Sequence, residues 1–175
     1  MDKVVVFGGS GFVGSHVADV LSDNNYKVTI FDKVHSKWLK HNQEMFIGDL
    51  LNKEHVRKAI KGASIIYHFA GIADIDESFK KPYDTINLNV IGTTILLEEA
   101  LKINVKRFIF ASTMYVYSQY GSFYRASKQA CETIIETYHS NLGLNYNLLR
   151  YGALYGPRAQ DWNGLLDRVK KILNN

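Results

Sequence analysis

The chain has 175 residues, 46% of them hydrophobic and 22% charged, which is ordinary usage for one domain with a sizeable core. Its formal net charge of +4 is mild, and the basic residues are scattered apart from pairs at Lys80–Lys81 and Lys170–Lys171, which argues against a nucleic-acid partner. No apolar run reaches membrane-helix length, no basic leader precedes the first strand-like run, and the lone Cys131 permits no internal disulfide, so a cytoplasmic setting is expected.

The run KVVVFG (3–8), rich in valine and closed by glycine, predicts a fully buried strand. Phe12, Val13, Val17, Val20 and Leu21 then recur at helical spacing, with Asn24–Asn25 as a stop. KVTIFD (27–32) and EMFIGD (44–49) read as the next two strands, followed by a helix over about 53–60 that ends at Gly62. ASIIYHFAG (63–71) reads as a fourth strand, and Asp74 and Asp76 fall in the loop after it. A long helix is expected over 83–101, with Leu88, Ile91, Ile95, Leu96 and Ala100 facing inward. VKRFIFAS (105–112), a helix over 124–138, and LNYNLLR (144–150) follow. A turn-rich boundary (155–164) and a short helix over 165–173 end the chain. Apolar strands alternating with helices predict an α/β fold, a single-domain doubly wound parallel sheet with helices on both faces.

The segment VVVFGGSGFVGSHVA sets Gly8, Gly11 and Gly14 three apart between a strand and a helix. Such a turn brings backbone N–H groups close to a pyrophosphate and lets the helix pack on the strand, which predicts dinucleotide binding with Phe12 and Val13 in the same turn. Asp32, at the end of the second strand, is placed to accept hydrogen bonds from ribose hydroxyls. Its charge would repel a 2′-phosphate and favours NAD over NADP, although Lys33 beside it offsets part of that repulsion. Asp49 either touches the adenine edge or serves as a helix cap or solvated turn.

Ser112 and Thr113 end the fifth strand, at the carboxyl edge where open α/β sheets hold ligands. Tyr124 and Lys128 share one helix face a turn apart. In the reading this supports, Lys128 lowers the phenol pKa and holds the nicotinamide ribose, Tyr124 moves a hydroxyl proton, and Thr113 or Ser112 holds the reacting oxygen. His68 is expected to be packed or hydrogen-bonded and Cys131 to be core. The histidines show no ligand spacing with Cys131, so no metal is expected.

Together these motifs resemble the extended short-chain dehydrogenase/reductase family, in its NAD-dependent nucleotide-sugar epimerase/dehydratase branch. GGSGFVG resembles the glycine fingerprint, Asp32 the ribose-binding acid, and GDL (48–50), with Asp49 and Leu50, the adenine-proximal motif. HFAG (68–71), with Phe69, Ala70 and Gly71, resembles the cofactor-lining strand end. Asn89, in NLNVIGTTILLEEA (87–100), matches a structural asparagine and is counted among the cofactor-binding residues. FASTMYVY resembles the segment carrying the active-site hydroxyl on Thr113, YRASK the Tyr/Lys pair, and LLRYGALYGPR (148–158) the strand leading to the substrate lobe.

The resemblance implies a Rossmann-like, NAD-binding domain over 1–158 and a short helical remnant of a second, substrate-binding lobe over 159–175. It also implies a nucleotide-sugar substrate, oxidised at a hydroxyl and reduced on its other face by an epimerase. Met114 and Tyr115 stand where dehydratases carry an acid pair, which disfavours elimination. The loop between Thr113 and Tyr124 is shorter than usual; Ala153 replaces a frequent asparagine, Gly71 an alanine and Ser118 a glycine. Family enzymes continue for over a hundred residues past YGP. A fragment, a shortened cofactor-binding protein without turnover, or one part of an assembly would each fit, and homo-oligomerisation through an open sheet edge is expected.

Overall fold

The structure is a computed structural model that describes residues 2–160 and 164–173. Strand β1 (Lys3–Phe7) lies in the middle of a six-stranded sheet, and its Val4, Val5, Val6 and Phe7 are completely buried. Alternate side chains leave a strand on opposite faces, so this valine run must be covered on both sides. Val4 and Val6 pack with Val28 and Ile30 against Ala18 of helix α1 (Phe12–Asp23). Val5 and Phe7 enter the larger core on the other face, built with Phe31, Phe108 and Phe110 of neighbouring strands.

The remaining strands are β2 (Lys27–Asp32), β3 (Gln43–Ile47), β4 (Ile65–His68), β5 (Arg107–Thr113) and β6 (Tyr146–Tyr151). All pairs are parallel, in the order β3-β2-β1-β4-β5-β6. The order reverses direction beside β1, so the segments leaving the paired ends of β1 and β4 turn to opposite faces and leave a crevice at the switch point. Helix α2 (Lys53–Ile60), capped by the Asn52 side chain and followed by Gly62 at φ 72°, covers the larger face with the helices described next.

The expected helix over 83–101 is three consecutive stretches: α4 (Pro82–Ile86), a π-helical turn over Asn87–Ile91, and α5 (Gly92–Lys102). The wider π turn carries the buried stripe through Thr85, Asn89, Thr93, Leu96 and Leu97, and leaves Ile91, expected inside, 48% exposed. A loop was expected around Asp74 and Asp76. Instead helix α3 (Ile75–Lys80) forms there, because the Asp74 carboxylate accepts from the Glu77 amide at 2.7 Å and caps its first turn. Helix α6 (Ser122–Leu142) starts two residues earlier and runs four further than its spacing indicated, ending where Gly143 turns left-handed at φ 74°. Helix α7 (Gly164–Leu173) closes the described chain; of the expected turn at 155–164, residues 161–163 lie outside the described residues.

Candidate functional site

A groove of about 920 Å³ opens at the carboxyl ends of β1, β2, β4 and β5. At one end is the turn into α1. Gly8 has φ 76°, and a Cβ on it would stand 2.5 Å from the Ala70 amide nitrogen; a Cβ on Gly14 would meet the Gly8 carbonyl oxygen at 2.3 Å. Those two positions therefore allow α1 to begin directly beside the strand ends. Its N-cap is Gly11, which offers no side-chain cap, and its first turn carries no acid. Unpartnered amides and the positive end of the helix dipole thus face the groove, a cradle suited to a diphosphate.

Asp32 lines the groove from β2, with Oδ2 accepting from the Ser10 amide at 3.0 Å. One carboxylate oxygen thus fixes the glycine turn, while the side chain stays at the groove wall. Lys33 also lines the groove, and its Nζ lies 3.3 Å from Asp49 Oδ2, a half-exposed pair. Phe12, Val13, Leu50, Phe69, Ala70 and Gly71 line it as well.

Two sequence candidates do not line it. Asp49 turns to Lys33 and to the Leu51 amide (2.9 Å), while the α2 cap falls to Asn52. Asn89 is 2% exposed and spends its amide behind the groove: Oδ1 accepts from Ile72 N–H at 2.8 Å, and Nδ2 donates to the Ile72 carbonyl (3.0 Å) and Ser127 Oγ (2.9 Å). Its place explains the structural role of an asparagine rather than contact with a cofactor.

At the other end the structure brings Thr113, Tyr124 and Lys128 together. The Thr113 hydroxyl is hydrogen-bonded to the Tyr124 phenol in the sense that lowers the phenol pKa, and Thr113 Oγ1 accepts from the Tyr115 amide at 3.2 Å. The buried Lys128 ammonium donates to the Ala111 carbonyl at 2.7 Å, sits 4.5 Å over the Phe110 ring, and is 5.9 Å from the Tyr124 ring centroid. Burial pulls the Lys128 pKa down to about 8, opposed by the charges of Cys131 and Glu132. Burial likewise raises the Tyr124 pKa, the Thr113 hydrogen bond lowers it in part, and Tyr115 raises it further. The phenol lowered by Lys128 that the sequence led us to expect is therefore not what this arrangement gives: desolvation is the largest influence on Tyr124, and it raises the phenol pKa.

Ser112 lines the groove, but its hydroxyl donates to Glu132 Oε1 at 2.5 Å and is not free for a reacting oxygen. His68 lies under the sheet between Phe7, Phe108 and Phe110, with Nε2 2.9 Å from Thr93 Oγ1; burial, then the charge of Lys128, brings its pKa to about 3. Cys131 is core and bonds the Asn89 carbonyl at 3.1 Å. Among the described residues no group of three or more His, Cys, Asp or Glu could hold a metal ion. No helix among them is long and apolar enough to cross a membrane.

The groove also includes residues that sequence reasoning did not assign to the site: Asp74 and Asp76 at the start of α3, Tyr151 at the end of β6, Leu154 after it, and Gln160 and Arg168 further along. Only the capping pattern of Asp74 with Glu77 carried a local signal. Of the two tyrosines after Thr113, Tyr115 lines the groove, whereas Tyr117 lies under the Arg150 guanidinium at 5.1 Å.

The NAD dependent epimerase/dehydratase family matches residues 4–174, nearly the whole chain. The chain belongs to that family. Among its relatives, the UDP-N-acetyl-alpha-D-glucosaminuronate decarboxylase of Bacillus cytotoxicus is 31% identical over 182 residues, covering 91% of this chain and 56% of that protein. A putative UDP-glucose 4-epimerase of Methanocaldococcus jannaschii is 31% identical over 179 residues, covering 92% of this chain and 58% of that one. The crystal structure of UDP-glucuronic acid 4-epimerase from Bacillus cereus, in complex with UDP-glucuronic acid and NAD, matches with a TM-score of 0.88 at 27% identity. That match covers 98% of this chain and 63% of the crystallised one. The chain thus spans a little over half the length of the curated relatives it matches.

Proposed function

We propose that the groove binds NAD, and that the chain is the cofactor-binding part of an oxidoreductase that epimerises a nucleotide sugar. The observation that carries this reading is one continuous groove with the uncapped start of α1 and Asp32 at one end and Thr113, Tyr124 and Lys128 at the other. The turn at Gly8, Gly11 and Gly14 would hold the diphosphate, Asp32 the adenosine ribose, and Lys128 the nicotinamide ribose. Bound NAD supplies a hydride acceptor and donor. The protein's own part is to hold the sugar hydroxyl against Thr113 and Tyr124, to pass its proton to and from the Tyr124 oxygen, and to exclude water. With Lys33 paired to Asp49, little positive charge is left beside Asp32 to receive a 2′-phosphate, which supports NAD over NADP.

Residues 159–175 fit the start of a substrate lobe, since Gln160, Leu165 and Arg168 line the groove. A second reading, cofactor binding without independent turnover, is supported by the span of a little over half the relatives' length. We also propose self-association, because β6 is an open sheet edge among the described residues.

Titration of NAD and NADP against the wild type, Asp32→Ala and Tyr124→Phe tests these readings, with light scattering for the oligomer. Saturable NAD binding that Asp32→Ala weakens and Tyr124→Phe preserves is expected. Sugar-nucleotide turnover abolished by Tyr124→Phe selects the enzyme, and binding without turnover in the wild type selects the module. No saturable NAD binding overturns both, and a strict monomer overturns self-association.

A further inference from the structure

We propose that Glu132, together with Arg150, is a positioning residue for the Tyr124/Lys128 dyad: it anchors that face of α6 to the end of β5 and keeps the Lys128 ammonium charged. The proposal rests on the roles given to Tyr124 and Lys128 above. Three consecutive residues of β5 grip three residues of α6. Thr113 bonds the Tyr124 phenol, the Ala111 carbonyl accepts from Lys128 Nζ at 2.7 Å, and Ser112 Oγ donates to Glu132 Oε1 at 2.5 Å. Tyr124, Lys128 and Glu132 are spaced by four, so they stand one above another on a single helix face. Ser112 is thereby the third point of attachment for the dyad's helix.

Glu132 is 8% exposed, and a carboxylate buried alone would be strongly destabilising. Arg150 of β6 answers it with a two-pronged pair, Nε to Oε1 at 3.0 Å and Nη2 to Oε2 at 2.8 Å. The same guanidinium covers Tyr117, in the 3-10 turn Met114–Tyr117 that also carries Tyr115 into the groove. One ion pair therefore joins β5, β6, α6 and that turn.

Its charge acts on Lys128 as well. The titratable groups facing Lys128 are Tyr124, Cys131 and Glu132 from α6 and His68 from β4; β5 offers only the Phe110 ring and the Ala111 carbonyl. Burial keeps His68 neutral and raises the Tyr124 and Cys131 pKa values, whereas Glu132, ion-paired to Arg150, sets its carboxylate one helical turn from the ammonium. It opposes the burial that draws Lys128 toward its neutral form.

The test reads Lys128 itself. Protein carrying 13Cε-lysine is titrated by NMR between roughly pH 6 and 11, with the Lys128 signal assigned by its loss in Lys128→Met. Glu132→Gln keeps the side-chain shape and leaves Arg150 cationic, so the Lys128 midpoint falls, by about one pH unit or more. Arg150→Gln leaves Glu132 anionic and unpaired, so the midpoint rises. A merely structural clamp lowers thermal stability in both variants and leaves the two midpoints unmoved or moved in the same direction, and that result overturns the proposal. The titration needs no cofactor. Failure of the wild type to bind NAD would therefore count against the proposed function, separately from what the two midpoints say about Glu132.

Discussion

Replacing Gly14 with alanine sets two effects of opposite sign against each other. In an exposed helix the change adds about 1 kcal/mol of helix stability. Here the new methyl would stand 2.3 Å from the Gly8 carbonyl oxygen and 2.9 Å from Gly8 C and Gly9 Cα, all backbone atoms that cannot rotate away. Relieving the contact means moving α1 off the end of β1, and overpacking of this kind costs about 1–3 kcal/mol, occasionally more. The clash wins, because propensity gains nothing once the helix is displaced. For a domain of this size each kcal/mol is worth roughly 2–4 °C, so the melting temperature of Gly14→Ala should fall by roughly 2–12 °C. NAD affinity should fall by about tenfold or more, since the moved helix carries the anion-facing amides with it. Calorimetry and NAD titration by fluorescence measure the two. Gly62→Ala is the control: its φ of 72° is strained for alanine, but nothing lies within 4 Å, so it should lose stability without losing NAD. A Gly14→Ala protein with wild-type melting and wild-type NAD affinity would refute the close-approach argument.

Asn89→Ala strips partners from both polar backbone groups of Ile72 and from Ser127, and should destabilise by about 2–4 kcal/mol, read as a shift of the urea midpoint at constant slope. If NAD affinity of the folded protein falls as well, Asn89 touches the cofactor as its sequence position led us to expect; unchanged affinity supports the structural role. Glu99, 2% exposed beneath Arg57 and Lys102, has its pKa lowered to about 2, chiefly by the Arg57 hydrogen bond. A folded pKa below the unfolded one gives stability that is complete above about pH 4.5 and lost as pH falls toward 2, so Glu99→Gln should flatten the acid limb of stability against pH. An acid limb identical to that of the wild type would show that this carboxylate does not join α2 to α5.

The middle of the sheet was legible because β1, β2 and β5 are largely buried and read as apolar runs; β2 falls at 27–32 as its spacing indicates. Helix α2 was equally clear, at 53–60 and stopped by Gly62. What was lost turned on local geometry that spacing does not encode. The π turn shifts the inward face from Ile91 to Asn89, and a single carboxylate cap makes α3 from a stretch that reads as loop. In the site, Thr113, Tyr124 and Lys128 were findable because a strand end and a four-residue helix spacing bring them together. Ser112 was misjudged because its partner, Glu132, is 20 residues away and becomes visible only when α6 lies across β5. Arg150 likewise has meaning only through that carboxylate. Long-range polar pairs in a parallel sheet leave almost no trace in local pattern.

The strand order carries a consequence for how the chain is made. β1, the most deeply buried strand, pairs with β2 on one side and β4 on the other, so a ribosome that has released Asp32 has supplied only one neighbour. Its second edge waits for roughly 36 more residues, through His68, or roughly 2–7 seconds of synthesis at ordinary elongation rates. During that interval the nascent chain presents an unpaired valine edge. The residues that later hold the glycine turn in place are, in birth order, the ones most in need of protection.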